Sequence, residues 1–315
     1  MLHQVPTLDL SDFLCNDLPR KKRFVKDLGN AFEDIGFVVV KGHEFSEGDR
    51  VELYEQVKNF FSLPEEVKMR YHLADLAGQR GFTPFGREHA KGHEAPDLKE
   101  FWQWGQPHPP LERSEEEYPK NPMVEELPMY NPMSIRAYKT LERIGRDVLR
   151  AIALYLELEE DHFETPVHGG QSILRAIHYP PIKNDPGDSL RAAEHEDINL
   201  ITLLMGASAE GLEVLDRSGA WVPVHAQPGE LVINVGDMLQ RLTNGKLRST
   251  THRVINPQGE KRNEARFSIP FFMHPISEMP LNVLTNCVSE DNPSHYEDIT
   301  AGEYLDQRLR EIGLK

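Results

Sequence analysis

Apolar residues recur along the first half of this chain at two different periods. Residues 5–13 read as a short strand running into a polar stop. From Pro19 to Ile35, Phe24, Leu28, Ala31, Phe32 and Ile35 recur at the spacing of one helix face. Proline suits a first helical turn and glycine a stop, so Pro19 and Gly36 bracket the segment. Phe37-Val38-Val39-Val40 is a β-branched run of buried-strand length. Val51, Tyr54, Val57, Phe60 and Phe61 predict a second helix, closed at Leu63-Pro64. Tyr138, Leu141, Gly145, Val148, Ile152 and Tyr155 predict the longest helix, over roughly 131–158. Between these helices, residues 74–130 mix glycine, proline and charge with weak periodicity. They read as an irregular lid or pocket wall.

After about residue 170 short β-rich runs alternate with turn residues. Strands are predicted over 172–179, 199–205, 212–215, 221–224, 230–235, 250–255 and 266–273. Gly211, Gly219, Pro228-Gly229, Gly236-Asp237, Asn244-Gly245 and Pro257-Gln258-Gly259 separate them. Many short, evenly spaced strands imply a sandwich or barrel. The expected fold is mainly β, with a helical N-terminal half packed on the β core and no linker between them. Neither an internal repeat nor a glycine-rich phosphate loop is present.

Bulk composition narrows the function classes. The 315 residues carry 35 basic and 51 acidic side chains, a net charge of −16. Such a surface repels phosphate backbones and anionic membranes, so neither nucleic acid nor membrane is an expected partner. Cys15 and Cys287 are too few for a thiolate metal cluster or a disulfide framework, which points to a reducing compartment. The N-terminus lacks the basic and apolar regions of a signal peptide, and no apolar run reaches membrane-spanning length. A cytoplasmic location is the expectation.

Fourteen histidines leave most of them to structure or surface. Only His195-Glu196-Asp197 gives His-x-Asp, while His162-Phe163-Glu164 gives His-x-Glu. The first leads directly into the strand Asn199–Leu204. In extended chain, positions i and i+2 share a face, so His195 and Asp197 can share one metal. His252, in the β-rich run 250–255, is the candidate third ligand. Two imidazoles and one carboxylate with open positions form the facial triad of iron(II) oxygenases. On spacing alone, His195 and His252 could equally be packed or surface histidines.

Arg266 and Ser268 again share a strand face, and together offer a planar fork and a hydroxyl to a carboxylate. Tyr179, before Pro180-Pro181, is a further donor or simply the end of a strand. His89 and His93 stand four apart but lack the glutamate of a zinc-protease helix, so a loop is expected there. His162 and Glu164 read as solvated surface, and Trp102 and Trp104 as buried packing.

In order along the chain, further segments match one family. They are Gly36-Phe37 through Gly42-His43, Phe60-Phe61-x-Leu63-Pro64, Asp97-x-Lys99-Glu100, His195-x-Asp197, Pro228-Gly229 through Gly236-Asp237, Ser249-Thr250-x-His252-Arg253-Val254 and Arg266-x-Ser268-Ile269-Pro270. From about Val5 to Pro275 the chain resembles the isopenicillin N synthase-like family of iron(II), 2-oxoglutarate-dependent oxygenases. The resemblance implies a double-stranded β-helix (jelly-roll) core with flanking helices. It implies an N-terminal region 1–165, a β-core 166–280 and a C-terminal extension 281–315 forming one unit. It also implies Fe(II) on His195, Asp197 and His252, with O2 as oxidant. 2-Oxoglutarate would be co-substrate, its far carboxylate on Arg266 and Ser268 with Tyr179 nearby.

The family's 2-oxoglutarate users commonly carry Asn two positions before that tyrosine, where Ile177 stands here. The stretch His195 to Thr202 is similar to isopenicillin N synthase itself, whose Arg-x-Ser pair binds substrate instead. Three alternatives therefore stand beside the dioxygenase: a 2-oxoglutarate-independent iron oxidase, a non-catalytic binding module and a zinc hydrolase. Arg80, Arg87 and Lys91, in the irregular region, hint at an anionic or amino-acid-like small molecule as substrate.

Overall fold

The computed structural model describes residues 4–311, apart from 77, 88–96, 111, 184, 188 and 207–209. The first third places β1 (Thr7–Asp9), α1 (Ser11–Leu14), α2 (Leu18–Asp34), β2 (Phe37–Lys41), α3 (Glu47–Phe61) and α4 (Glu65–Met69). Next come β3 (Gly81–Thr83), β4 (Glu100–Trp104), α5 (Tyr130–Tyr155) and α6 (Glu164–Val167). The remainder holds β5 (Ile173–Tyr179), β6 (Ala192–His195), β7 (Ile201–Met205), β8 (Leu212–Leu215), β9 (Trp221–Pro223) and β10 (Leu231–Val235). It ends with α7 (Asp237–Leu242), β11 (His252–Val254), β12 (Arg266–Met273) and α8 (Ala301–Glu311).

Local chemistry explains the boundaries. The Asp17 side chain caps α2 by accepting from the Arg20 amide at 3.1 Å, and Pro19 occupies its first turn. Gly36 ends the connection at φ +72°, and a Cβ there would meet the Arg248 carbonyl oxygen at 2.2 Å. Only glycine lets the chain turn straight from α2 into β2 against that backbone. In α5, Gly145 faces the Met273 sulfur closely enough that a Cβ would clash, so the helix beds directly on β12.

The strands form two sheets. The major sheet runs β1-β2-β10-β7-β12-β5-β4-β3, and the minor sheet runs β6-β11-β8-β9. They face one another: Phe37, Val39 and Val232 of the major sheet pack with Leu212, Val214 and Val222 of the minor one. The opposite side of the major sheet is covered by α5, with Leu141, Val148 and Ile152 in the same cluster as Leu203, Ile233 and Phe271. Two facing sheets flanked by helices are consistent with a jelly-roll core.

The N-terminal half is less helical than expected. Its strands β1 and β2 extend one edge of the major sheet, and β3 and β4 extend the other. β3 and β4 arise inside the segment expected to be irregular. All five residues of β4 are buried, so no polar alternation marks it as a strand in sequence.

Candidate metal centre

His195 ends β6 and His252 opens β11, directly opposite it in the antiparallel register. Asp197 follows β6 by two residues, where the chain leaves the minor sheet for β7 in the major sheet. One ligand atom from each of the three lies within 4.8 Å of the others. Asp197 Oδ1 is 3.9 Å from His195 Nε2 and 3.7 Å from His252 Nε2.

The other polar atoms of the three side chains are already engaged. His195 Nδ1 meets the Ala193 carbonyl at 2.8 Å, and His252 Nδ1 meets the Thr250 carbonyl at 3.0 Å. A carbonyl only accepts, so each ring carries its proton on Nδ1 and turns the Nε2 lone pair inward. Asp197 Oδ2 accepts from Thr202 Oγ1 at 2.6 Å and from Asn234 Nδ2 at 2.8 Å. Asn199 in turn donates to Thr202 Oγ1 at 2.8 Å. The Phe37 ring meets His252 edge-on at 5.4 Å.

Electrostatics agree with this arrangement. Burial, then the neighbouring His252, pushes the His195 pKa down to about 4, so the ring is a neutral donor near neutral pH. For Asp197 burial alone would raise the pKa. The two imidazoles and the Asn234 and Thr202 hydrogen bonds overcome it and hold the carboxyl below its usual value. Two neutral imidazole nitrogens and one carboxylate oxygen, with no thiolate, fit Fe(II).

The triad opens onto a cavity of about 530 Å³ that Arg266, Ser268 and Tyr179 also line. Arg266 stands opposite Tyr179 across β12 and β5, and Ser268 opposite Ile177. All three predicted polar residues are buried, Arg266 to 1% exposure. The guanidinium lies 5.0 Å from the centre of the Tyr179 ring. Thr202 and Asn234, which hold Asp197, line the same cavity.

Other sequence candidates lie elsewhere. Arg80 is buried off the cavity, its guanidinium bonded to the carbonyls of Gln79 and Pro119 at 2.7 and 3.1 Å. Two of its N–H groups are engaged by main chain, and it does not line the cavity. Arg87 is exposed, and His89, Lys91 and His93 lie outside the described residues. Trp102 and Trp104 are buried beside Tyr130. His162 is exposed, and Glu164 pairs with Arg146.

Several lining residues carry no site signal in sequence, Lys99 standing there only within the family segment Asp97-x-Lys99-Glu100. Lys99, Arg175 and His274 reach the cavity from β4's approach, β5 and the end of β12, and Leu305, Arg308 and Leu309 reach it from α8. His274 continues the two-residue alternation of Arg266, Ser268, Pro270 and Phe272, and its Nδ1 is sealed without a partner.

Two family models match the chain. Residues 5–126 match the non-haem dioxygenase in morphine synthesis N-terminal family, and residues 170–275 match the 2OG-Fe(II) oxygenase superfamily. The 2-oxoglutarate-Fe(II) type oxidoreductase hxnY of Emericella nidulans is 31% identical over 95% of this chain and 88% of its own length. The proline hydroxylase buaE of Petromyces alliaceus is 33% identical over 97% of this chain and 98% of its own. A 2OG-Fe(II) oxygenase family protein from Caulobacter crescentus superposes with TM-score 0.88 at 44% identity, covering 98% of this chain and 99% of that one. Neurospora crassa T7H, solved with alpha-KG and thymine, superposes with TM-score 0.86 at 28% identity, covering 97% and 96%. This chain belongs to the isopenicillin N synthase-like family of 2OG-Fe(II) oxygenases, and it is an Fe(II)- and 2-oxoglutarate-dependent dioxygenase.

Proposed function

We propose that His195, Asp197 and His252 are the iron ligands and that Arg266 and Ser268, beside Tyr179, take the far carboxylate of 2-oxoglutarate. One observation carries this reading. Each triad side chain has its remaining polar atoms tied down, which turns three ligand atoms to one point inside the cavity that also holds the buried Arg266. Fe(II) with 2-oxoglutarate supplies O2 activation coupled to oxidative decarboxylation, giving succinate and CO2 and the power to oxidise a substrate C–H bond.

The chain's own residues do the holding and the shielding. Thr202 and Asn234 orient Asp197, and the carbonyls of Ala193 and Thr250 orient the imidazoles. Phe37, Leu204, Val232 and Phe272 form apolar wall that excludes water around the reacting C–H. The substrate is a compact molecule, since the 530 Å³ cavity also has to admit the co-substrate. Arg175 on its wall supports an anionic or amino-acid-like metabolite, while Arg80 does not line the cavity. Relatives that hydroxylate proline or bind thymine are of that size class. We assign 1–165, 166–280 and 281–315 as the N-terminal region, β-core and C-terminal extension. The free Cys15 and Cys287 support a reducing, cytoplasmic setting. The test is succinate release on screening small acids, amino acids and nucleobases. Oxygen consumption with substrate but without succinate would overturn it and favour the co-substrate-independent oxidase.

A further inference from the structure

Asp97 and Lys99 form an ion pair at 2.8 Å with both side chains buried. Taking two charges out of water is costly and returns little stability, so such a pair calls for a reason. Its geometry supplies one. Asp97 Oδ2 faces Lys99, while Asp97 Oδ1 accepts from the backbone amide of Ala193 at 3.0 Å. Ala193 is the residue whose carbonyl accepts the hydrogen bond from His195 Nδ1 at 2.8 Å. One peptide backbone thus joins the carboxylate to the imidazole. The segment is fastened a second time where the Leu98 amide donates to the Leu190 carbonyl at 2.9 Å, just ahead of β6.

His252 needs no such brace. It sits on β11, which is paired on both sides by β6 and β8. Among the described residues β6 is the edge strand of the minor sheet, with β11 beside it. An edge strand lacks half its ladder and moves more readily. His195 is also the most exposed of the three ligands, at 36% of its side chain.

We propose that Asp97, locked by Lys99, is a positioning residue that fixes the Ala193 peptide and thereby the tautomer and direction of the His195 ring. The inference rests on His195 being an iron ligand. Partners that orient a metal-bound imidazole typically change metal affinity by about 10- to 100-fold when removed.

The test uses the full chain and measures anaerobic Fe(II) affinity against a competing chelator, with chemical unfolding in parallel. Asp97→Leu combined with Lys99→Met removes the acceptor without stranding a charge. It is expected to weaken Fe(II) binding by about 10- to 100-fold. Asp97→Asn keeps a carbonyl oxygen for the Ala193 amide and should retain most of the affinity. Glu100→Gln is the control. Glu100 forms a similar buried pair with Lys68 at 2.7 Å and meets His178 rather than a triad residue. It should lower stability and leave Fe(II) affinity in place. Equal loss of affinity in the double variant and in Glu100→Gln would overturn the proposal, as would unchanged affinity in the double variant. His195→Ala separates the two readings: if it too keeps full affinity, the ligand assignment fails first.

Discussion

Replacing Arg266 by lysine keeps the positive charge and removes the fork. Arg266 is 1% exposed, stacked 5.0 Å from the Tyr179 ring and fixed opposite it in the sheet register. A guanidinium so held can give two parallel hydrogen bonds to a carboxylate, and an ammonium cannot. Losing one charge-assisted bond in a buried site costs about 1.5–3 kcal/mol. At roughly 1.4 kcal/mol per decade, that is about a ten- to hundredfold weaker Kd for 2-oxoglutarate. Ser268→Ala removes a neutral donor worth about 0.5–1.5 kcal/mol, so its effect should stay near tenfold or below. The assay is anaerobic titration of the Fe(II) protein with 2-oxoglutarate, followed by the visible charge-transfer band of the complex. Iron binding should survive both changes. An Arg266→Lys protein with wild-type affinity would refute the assignment of the far carboxylate to this residue.

Other outcomes follow from the same geometry. Asp197→Ala should drop bound iron from about one per chain toward zero, because it removes one ligand of three; retained stoichiometric iron in metal analysis would sink the triad. Thr202→Val strips one of the two donors to Asp197 Oδ2 and should weaken Fe(II) binding measurably but less than Asp197→Ala does. His274 is buried and pushed from 6.5 down to about 4 by that burial. Between those values the unfolded chain binds the extra proton, so His274 makes the metal-free protein less stable as pH falls through that window and contributes no slope above it. His274→Gln should flatten the dependence of unfolding midpoint on pH between about 6.5 and 4; an unchanged slope would contradict the burial argument. Titration of denatured, unreduced protein should find about two thiols, from Cys15 and Cys287, and a count near zero would mean a disulfide.

Strong periodicity is what made the fold legible. The stripe Phe24, Leu28, Ala31, Phe32 is buried in α2 as expected, and the helix expected over 131–158 is α5 at Tyr130–Tyr155. The His-x-Asp spacing picked out two residues that the fold does bring together, but for an incomplete reason. His195 closes one strand and Asp197 lies in the crossing to the other sheet, so the two are brought together by a turn as well as by strand alternation. β6 itself, Ala192–His195, was hidden because its short run carries a glutamate and no β-branched residue. α8 is short and mostly polar, its few apolar residues including Tyr304 and Leu305, which pack against the core only partly buried. Cavity-lining residues such as His274 and Arg175 are single positions that only tertiary folding gathers onto one wall. Spacing along a chain carries no information about them.

The sheet order has a practical consequence for anyone wishing to shorten this enzyme. Within the major sheet, the strands of the segment that matches the 2OG-Fe(II) oxygenase superfamily lie in the middle, from β10 to β5. Both of its flanks are closed by strands from the first 104 residues: β2 on β10 and β4 on β5. Cutting the chain near residue 165 would strip both sides at once, baring two rows of unpaired amides and carbonyls on apolar strands. Such edges recruit other chains. A minimal version would therefore aggregate unless β2 and β4 were supplied again, for example by a circular permutation that keeps them in place. For this molecule, the first 104 residues are part of the β core and cannot be set aside from it.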